Sequence, residues 1–321
     1  MSLNDTTVLA FGGSRNIGYL AAVRLLGQIP PVFLVVWGDS PCWCLGRGAT
    51  VVFLLRNPKV FDDDATIKPY VDSGKAVLVK GDALNADDVA DAWKKAAEVN
   101  GRIDFVIFSV GMFDILITRL FNALYRGTPG GTPKITLAHG AVIEPRNLCT
   151  QSTLNVLCNM PHLEQGPKFI FVSSTGLTKA SHENLPILFK PLYSWLLQIP
   201  HADKLGSERI LHHAAGKPWA DPEPEPEIMN GGVGGGVDWK SRPGFPAAGS
   251  LKDWIIVRPA LLTDGKCEAD KEEKKGKAYK VVEGDGYKGY IVSRADIAHF
   301  IVEEAVLHWE QWKGKILAVG Y

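Results

Sequence analysis

The turn Gly12-Gly13-Ser14-Arg15-Asn16-Ile17-Gly18 carries the residues whose types and spacing point most directly to chemistry. It follows an apolar, β-branched run and opens a helical pattern, the context that gives a glycine-rich turn its meaning. Gly12 permits a tight turn, and Gly18 lets helix and strand pack closely. The helix N-terminus offers unpaired N–H groups and a partial positive charge, which suit a pyrophosphate. Gly12, Ser14, Arg15, Asn16, Ile17 and Gly18 are therefore candidate contacts to a dinucleotide. In sites for NAD an acidic residue ends the second strand and binds the ribose 2′-OH. Here that strand, TVVFLLRNP, ends in Arg56. Two guanidinium groups, Arg15 and Arg56, suit a 2′-phosphate through planar, charge-assisted contacts, so NADP(H) is expected ahead of NAD(H). The alternatives are a surface salt bridge for Arg56 and plain solvent exposure for Arg15. Asp82, followed by Ala83, ends the third strand, where a carboxylate can take the adenine amino group or cap the helix beginning near Asn85. Ser109, Val110 and Gly111 end the fourth strand, beside the expected adenosine ribose.

These positions need a scaffold, and the chain supplies one. Short β-branched runs at 8–11, 50–55, 76–79, 105–109, 169–173, 254–257 and 315–319 alternate with helical patterns at 18–26, 86–99, 147–160, 203–215 and 294–308. That rhythm predicts an α/β, Rossmann-type, doubly wound parallel sheet. The runs are apolar throughout, as strands buried on both faces are. A length of 321 residues allows a full core, and one NAD(P)-binding domain is expected over the whole chain, with a C-terminal substrate lobe at about 259–310. The formal net charge is zero, which favours no nucleic-acid partner. The five cysteines show no CxxC pair, so a reduced, cytoplasmic protein is expected. The first five residues lack the charged region of a signal peptide, and no apolar run has the length to span a bilayer. His212-His213 has no partner at ligand spacing, so no metal site is expected.

The glycine turn resembles the TGxxxGxG turn of short-chain dehydrogenase/reductases, with Phe11 for the Thr and Asn16 for the middle Gly. Asn tolerates positive φ better than most residues. With GGSRNIG, LLRNP, KGDAL, FIFVSSTG, ADKLGSERIL, WIIVRPALLTDG and VSRADIAHFIVEEAV, the chain resembles the atypical, NmrA-like and NAD(P)H-binding group of that family, including its fungal members. The resemblance implies a Rossmann fold with a small C-terminal substrate lobe.

It also implies, for active members, a Ser or Thr after the fifth strand and a Tyr-x-x-x-Lys. The Tyr exchanges a proton with the substrate oxygen; the Lys lowers that Tyr's pKa and holds the nicotinamide ribose. Among Ser173, Ser174 and Thr175, Ser174 matches best, and Lys204 matches the Lys. Pro200 stands four residues earlier, where the Tyr belongs, and proline can neither donate nor accept the proton. His201 beside it has a suitable pKa for general-acid work, or else packs at a helix start or hydrogen-bonds to solvent. Tyr193 reaches the site through a loop, or packs among Leu192, Trp195, Leu196 and Leu197. Lys204 itself has a ribose role or a surface role. The apolar stretch 185–200 would border the pocket and favour a small hydrophobic carbonyl or enone. Two functions follow: an NADPH-dependent reductase, or a non-catalytic NADP(H)-sensing regulator of the NmrA-like type. A nucleotide-sugar epimerase or dehydratase is disfavoured because its Tyr is obligatory. A small-molecule substrate is the expected partner; the oligomeric state is left open.

Three segments interrupt the rhythm. Residues 217–250 are rich in Pro, Gly and Glu and read as a flexible loop or a lid. The charged run 268–277 reads as a solvated turn, and the residues around Asp285-Gly286 as a hairpin. Residues 28–45 and 112–127 are apolar and aromatic where a connection should be short and polar. Excising them restores helix–turn–strand continuity, so they are translated introns or true insertions packed on the sheet edge. Sequencing the mature transcript decides this: the intron reading expects a message lacking either or both segments, and a message carrying both overturns it.

Overall fold

The computed structural model describes residues 2–27, 47–111, 134–136, 140–142, 144–161, 166–184, 195, 197–230, 238–274, 276–287 and 289–321. The segments 28–45 and 112–127, and Tyr193 with most of the apolar stretch before Lys204, lie outside the described residues.

The strands are β1 (Thr7–Phe11), β2 (Thr50–Leu55), β3 (Ala76–Lys80), β4 (Phe105–Phe108), β5 (Lys134–Thr136), β6 (Gly140–Val142), β7 (Lys168–Val172), β8 (Trp254–Pro259), β9 (Leu261–Thr263), β10 (Lys280–Glu283), β11 (Ile291–Ser293) and β12 (Lys315–Gly320). Eight form one sheet in the order β10-β12-β8-β7-β4-β1-β2-β3. All neighbours pair parallel except β10, which runs antiparallel to β12. The order grows outward from β1 through β2 to β3, then restarts on the other side at β4. This switch point between β1 and β4 opens the crevice where such sheets bind ligands.

Alternate residues of each strand feed two separate cores, which is why the strands read as continuous apolar runs. Val8 and Ala10 of β1 face one core, and Leu9 and Phe11 face the other. The helices that cover them are α1 (Asn16–Leu26), α2 (Lys68–Asp72), α3 (Ala86–Asn100), α4 (Leu148–Cys158), α5 (Lys179–Glu183), α6 (Gln198–Ala214), α7 (Pro226–Met229), α8 (Arg294–His299) and α9 (Trp309–Trp312). α3 buries Val89, Ala92, Trp93 and Ala96, one face at helical spacing. Asn85 caps it by accepting from the amides of Asp87 and Asp88, and Gly101, at φ 70°, ends it. Trp93 fills the core beside Phe11, and its Nε1 donates to the Val156 carbonyl at 3.1 Å.

Four sequence expectations change. The helix expected at 203–215 begins at Gln198, which places Pro200 in its first turn, where no amide donor is needed. The helix expected at 294–308 is α-helical only to His299 and continues as a π-helix, Phe300–Val306. The hairpin around Asp285-Gly286 does not form. β10 instead extends the main sheet, while β11 pairs parallel with β9, because each flank finds a longer-range partner. Residues 217–250 are not a bare loop: Ile228, Met229 and Trp239 are buried, and Gln151 of α4 donates to the Ile228 and Met229 carbonyls. Within the charged run, Asp270 pairs with the buried Arg24 of α1, and the amides of Glu268 and Ala269 donate to Asp296.

Replacing Trp93 removes a large ring and orphans a buried carbonyl. Trp93→Ala is expected to cost about 3–5 kcal/mol, measured by denaturant unfolding.

Candidate functional site

β1 ends at Phe11 and the chain turns at Gly12, whose φ is 84°. The turn presses against the end of β4. A Cβ on Gly12 would sit 2.7 Å from the Ser109 carbonyl carbon, and a Cβ on Gly18 would sit 2.3 Å from Ser109 Oγ. No larger side chain fits either place. Ser109 Oγ donates to the Phe11 and Gly12 carbonyls at 3.2 and 3.3 Å, tying the two strand ends together. Asn16 has φ 61°, the one positive φ outside glycine among the described residues. It takes the backbone role of the missing glycine, as an Asn can.

The first turn of α1 has no side-chain cap and no acidic residue. By contrast α3 is capped by Asn85, α5 by Thr178 and α8 by Ser293. An uncapped helix N-terminus at the switch point leaves amides and dipole available to an anion. Arg15 and Arg56 flank it, both exposed. Neither makes an ion pair or side-chain hydrogen bond among the described residues, so the salt-bridge alternative for Arg56 finds no partner there. Asp82 does not cap α3; Asn85 does. The Asp82 carboxylate accepts from Leu84 N at 3.0 Å, and the Ala83 carbonyl accepts from Asn155 Nδ2 at 3.0 Å. A diphosphate at the α1 terminus, a 2′-phosphate at the two arginines and an adenosine along 109–111 fit these groups.

Lys204 does not have the surface role: it is 4% exposed. α6 carries its ammonium to the ends of β4 and β7, where Nζ donates to the Val110 carbonyl at 3.0 Å and the Val172 carbonyl at 2.6 Å. It also lies 5.3 Å over the Phe171 ring. A Cβ on Gly111 would come within 3.0 Å of Nζ, so the glycine makes room for the ammonium. Two carbonyls use two of its three protons, and the third remains for a ligand at the cleft.

Ser174 is buried, and its Oγ donates to the Thr175 carbonyl at 3.2 Å. Ser173 Oγ donates instead to Glu208. Pro200 lies one turn before Lys204 on α6, so the helix presents no hydroxyl at that position. His201 follows it, half-buried, with Nε2 shielded from solvent. Burial, and then the neighbouring His182, lower its pKa to about 3. This alters the expectation for position 201: at neutral pH the ring is uncharged, and an imidazolium proton donor exists there only in strong acid.

Three site-supporting residues escaped the sequence reading. The buried Asp203 carboxylate accepts from Cys149 N at 2.7 Å and Thr150 N at 2.8 Å, closing the N-terminus of α4 from α6. Glu208 and Arg258 form a buried ion pair: Arg258 Nε and Nη2 meet Glu208 Oε1 and Oε2 at 3.0 and 2.5 Å. Burial pushes the Glu208 carboxyl up, but Arg258 outweighs it and leaves the pKa below its usual value. The available signals were an arginine inside the apolar run WIIVRP and a glutamate four residues after Lys204. Among the described residues no cluster of His, Cys, Asp or Glu could hold a metal ion, and no helix is long and apolar enough to cross a membrane.

No protein-family model matches the chain. Reductase pytE of Aspergillus terreus is 29% identical over 181 residues, covering 54% of this chain and 57% of that protein. The chain thus spans little more than half the length of the curated relative it matches. A putative 3-oxoacyl-reductase from Bacillus thuringiensis superposes with a TM-score of 0.52 at 13% identity, over 98% of this chain and 95% of that one. A Serratia marcescens short-chain dehydrogenase/reductase variant gives 0.51 at 15% identity, over 99% and 97%. This chain shares the Rossmann-type α/β fold of these proteins.

The state of His201 sets a pH dependence. The unfolded chain binds a proton there below its ordinary value of 6.5, the folded chain only near 3. Stability is therefore retained above that window and lost as pH falls through it. Between pH 7 and pH 5 the wild type is expected to lose about 2 kcal/mol more than His201→Gln, measured by denaturant unfolding.

Proposed function

We propose that the chain is an NADPH-dependent oxidoreductase of the short-chain type, acting on a small hydrophobic carbonyl or enone. The observation that carries this reading is convergence at the carboxyl ends of three central strands. The uncapped α1 terminus, the Ser109–Val110–Gly111 strand end and the Lys204 ammonium meet where β1, β4 and β7 finish. Reduced nicotinamide, when bound, supplies the hydride. Every other task falls to the chain. The α1 amides and Gly12 hold the diphosphate, with Ser14, Asn16 and Ile17 shaping that turn. Arg15 and Arg56 select NADP(H) over NAD(H), and Asp82 with Ala83 borders the adenine. Lys204 holds the nicotinamide ribose with its third N–H. Ser174 turns its hydroxyl to the substrate oxygen. With Pro200 in place of a tyrosine and His201 uncharged, the proton comes from Ser174 or a water it holds. The name of the Aspergillus terreus relative, a reductase, supports this class of reaction. The motifs RPALLTDG and SRADIAHF support the atypical, NmrA-like branch. A cytoplasmic location and a small-molecule substrate belong to the same reading.

Pro200 favours a second reading, an NADP(H)-sensing regulator without turnover. NADPH oxidation against menadione, trans-2-hexenal and 4-nitrobenzaldehyde separates the two. Turnover that falls about a hundredfold in Lys204→Ala supports the reductase, since small misplacements at a reacting centre cost that much. Tight NADPH binding without turnover on any probe supports the sensor. Arg56→Asp is expected to weaken NADPH binding by about ten- to a hundredfold and leave NADH binding nearly unchanged, read by calorimetry. Unchanged NADPH affinity removes Arg56 from the phosphate site.

A further inference from the structure

Lys204 is delivered to its two carbonyls by α6, and α6 is fixed at two buried points. The first is Asp203, which holds the α4 terminus. The second is Glu208, four residues after Lys204 and therefore on the same face of the helix. Asp203 sits beside Lys204 and pins the helix lengthwise. Glu208 ties that face to the sheet one turn further on.

The tie is specific. Glu208 is fully buried and accepts from Arg258 on β8 through both oxygens, while Oε1 also accepts from Ser173 Oγ at the end of β7. Ser173 directly follows Val172, whose carbonyl is the closer of the two Lys204 acceptors. One carboxylate thus holds together the helix bearing Lys204, the strand end that receives it and the neighbouring strand β8. The planar guanidinium fork fixes distance and rotation at once, which an ammonium cannot do.

Arg258 has a further partner. Nη1 donates to Asp285 Oδ1 at 2.6 Å, and that oxygen also accepts from Thr178 Oγ1 at 2.7 Å. Asn184 Nδ2 donates to the Asp285 carbonyl at 2.8 Å. The guanidinium therefore keeps a counter-charge when the carboxylate at 208 is neutralised. This network contributes nothing to the cofactor turn, and the proposed chemistry leaves it without a task.

We propose that Arg258, acting through Glu208, is a positioning residue for Lys204, setting the reach of its ammonium to the β4 and β7 strand ends. This rests on the proposed ribose role of Lys204 for its consequence, not for its geometry. Losing the fork rotates α6 and lets the ammonium leave its carbonyls, so the third N–H no longer points into the cleft.

The test uses Glu208→Gln, which is isosteric and leaves Arg258 paired with Asp285, and Arg258→Lys, which keeps the charge but removes the fork. Reductive methylation of the cofactor-free protein, read by mass spectrometry, compares Lys204 with the exposed Lys94 and Lys95. Lys204 is expected to label about fivefold faster or more in both variants, with Lys94 and Lys95 unchanged. NADPH affinity is then measured for each variant alone and combined with Lys204→Ala. The expected loss of about fivefold or more appears in the Lys204 background and vanishes in the Lys204→Ala background, the signature of action through that residue. Unchanged Lys204 labelling in both variants overturns the proposal. So does an equal loss of NADPH affinity with and without Lys204. Should the wild type bind no NADPH, the oxidoreductase reading falls, and the labelling arm still decides this one.

Discussion

The backbone contact between the first turn and the end of β4 is the constraint on which the site depends. Gly12 and Gly18 lie so close to Ser109 that a single added carbon at either position would collide with it. Because of that closeness, the α1 terminus opens onto the switch point and not away from it. The Ser109 hydroxyl, bonded to two carbonyls of the turn, keeps β1 and β4 in register at their ends. The side-chain bonds add there to the backbone bond from Ser109 N to the Phe11 carbonyl.

A second constraint concerns charge. Lys204 is buried but not isolated: backbone carbonyls solvate its ammonium, and the ring of Phe171 lies beneath it. Burying an ammonium is tolerable only with such replacement of water. Burial acts on His201 as well, and with His182 beside it the ring loses its charge.

Residues 259–310 are joined to α1 and β8 by ion pairs and not by apolar packing alone. Arg24 of α1 meets Asp270, Arg258 of β8 meets Asp285, and Asp296 gathers Ser293, Tyr321 and the amides of the charged run. The π-helical stretch after α8 buries Phe300, Ile301, Val302, Ala305 and Val306 against the same core that α1 covers. A widened helix distributes its side chains differently from an α-helix, and here five of seven residues reach the core.

The sequence by itself determined the parallel sheet, the glycine turn and the absence of the tyrosine. Each is a local signal: apolar runs of strand length, glycines at fixed spacing, a proline four residues before a lysine. It also read Asn16 correctly, since a positive φ is a property of one residue. Tertiary structure alone decided the pairing of β10 with β12, the packing of residues around Met229 and Trp239, the neutrality of His201 and the union of Glu208 with Arg258. These depend on which distant segments become neighbours, and on how much water they exclude. Fifty residues separate Glu208 from Arg258 along the chain, and no periodicity records that β8 passes beside α6. Burial and partner choice are properties of the assembled sheet, whereas turn geometry and helix phase are written in consecutive residues.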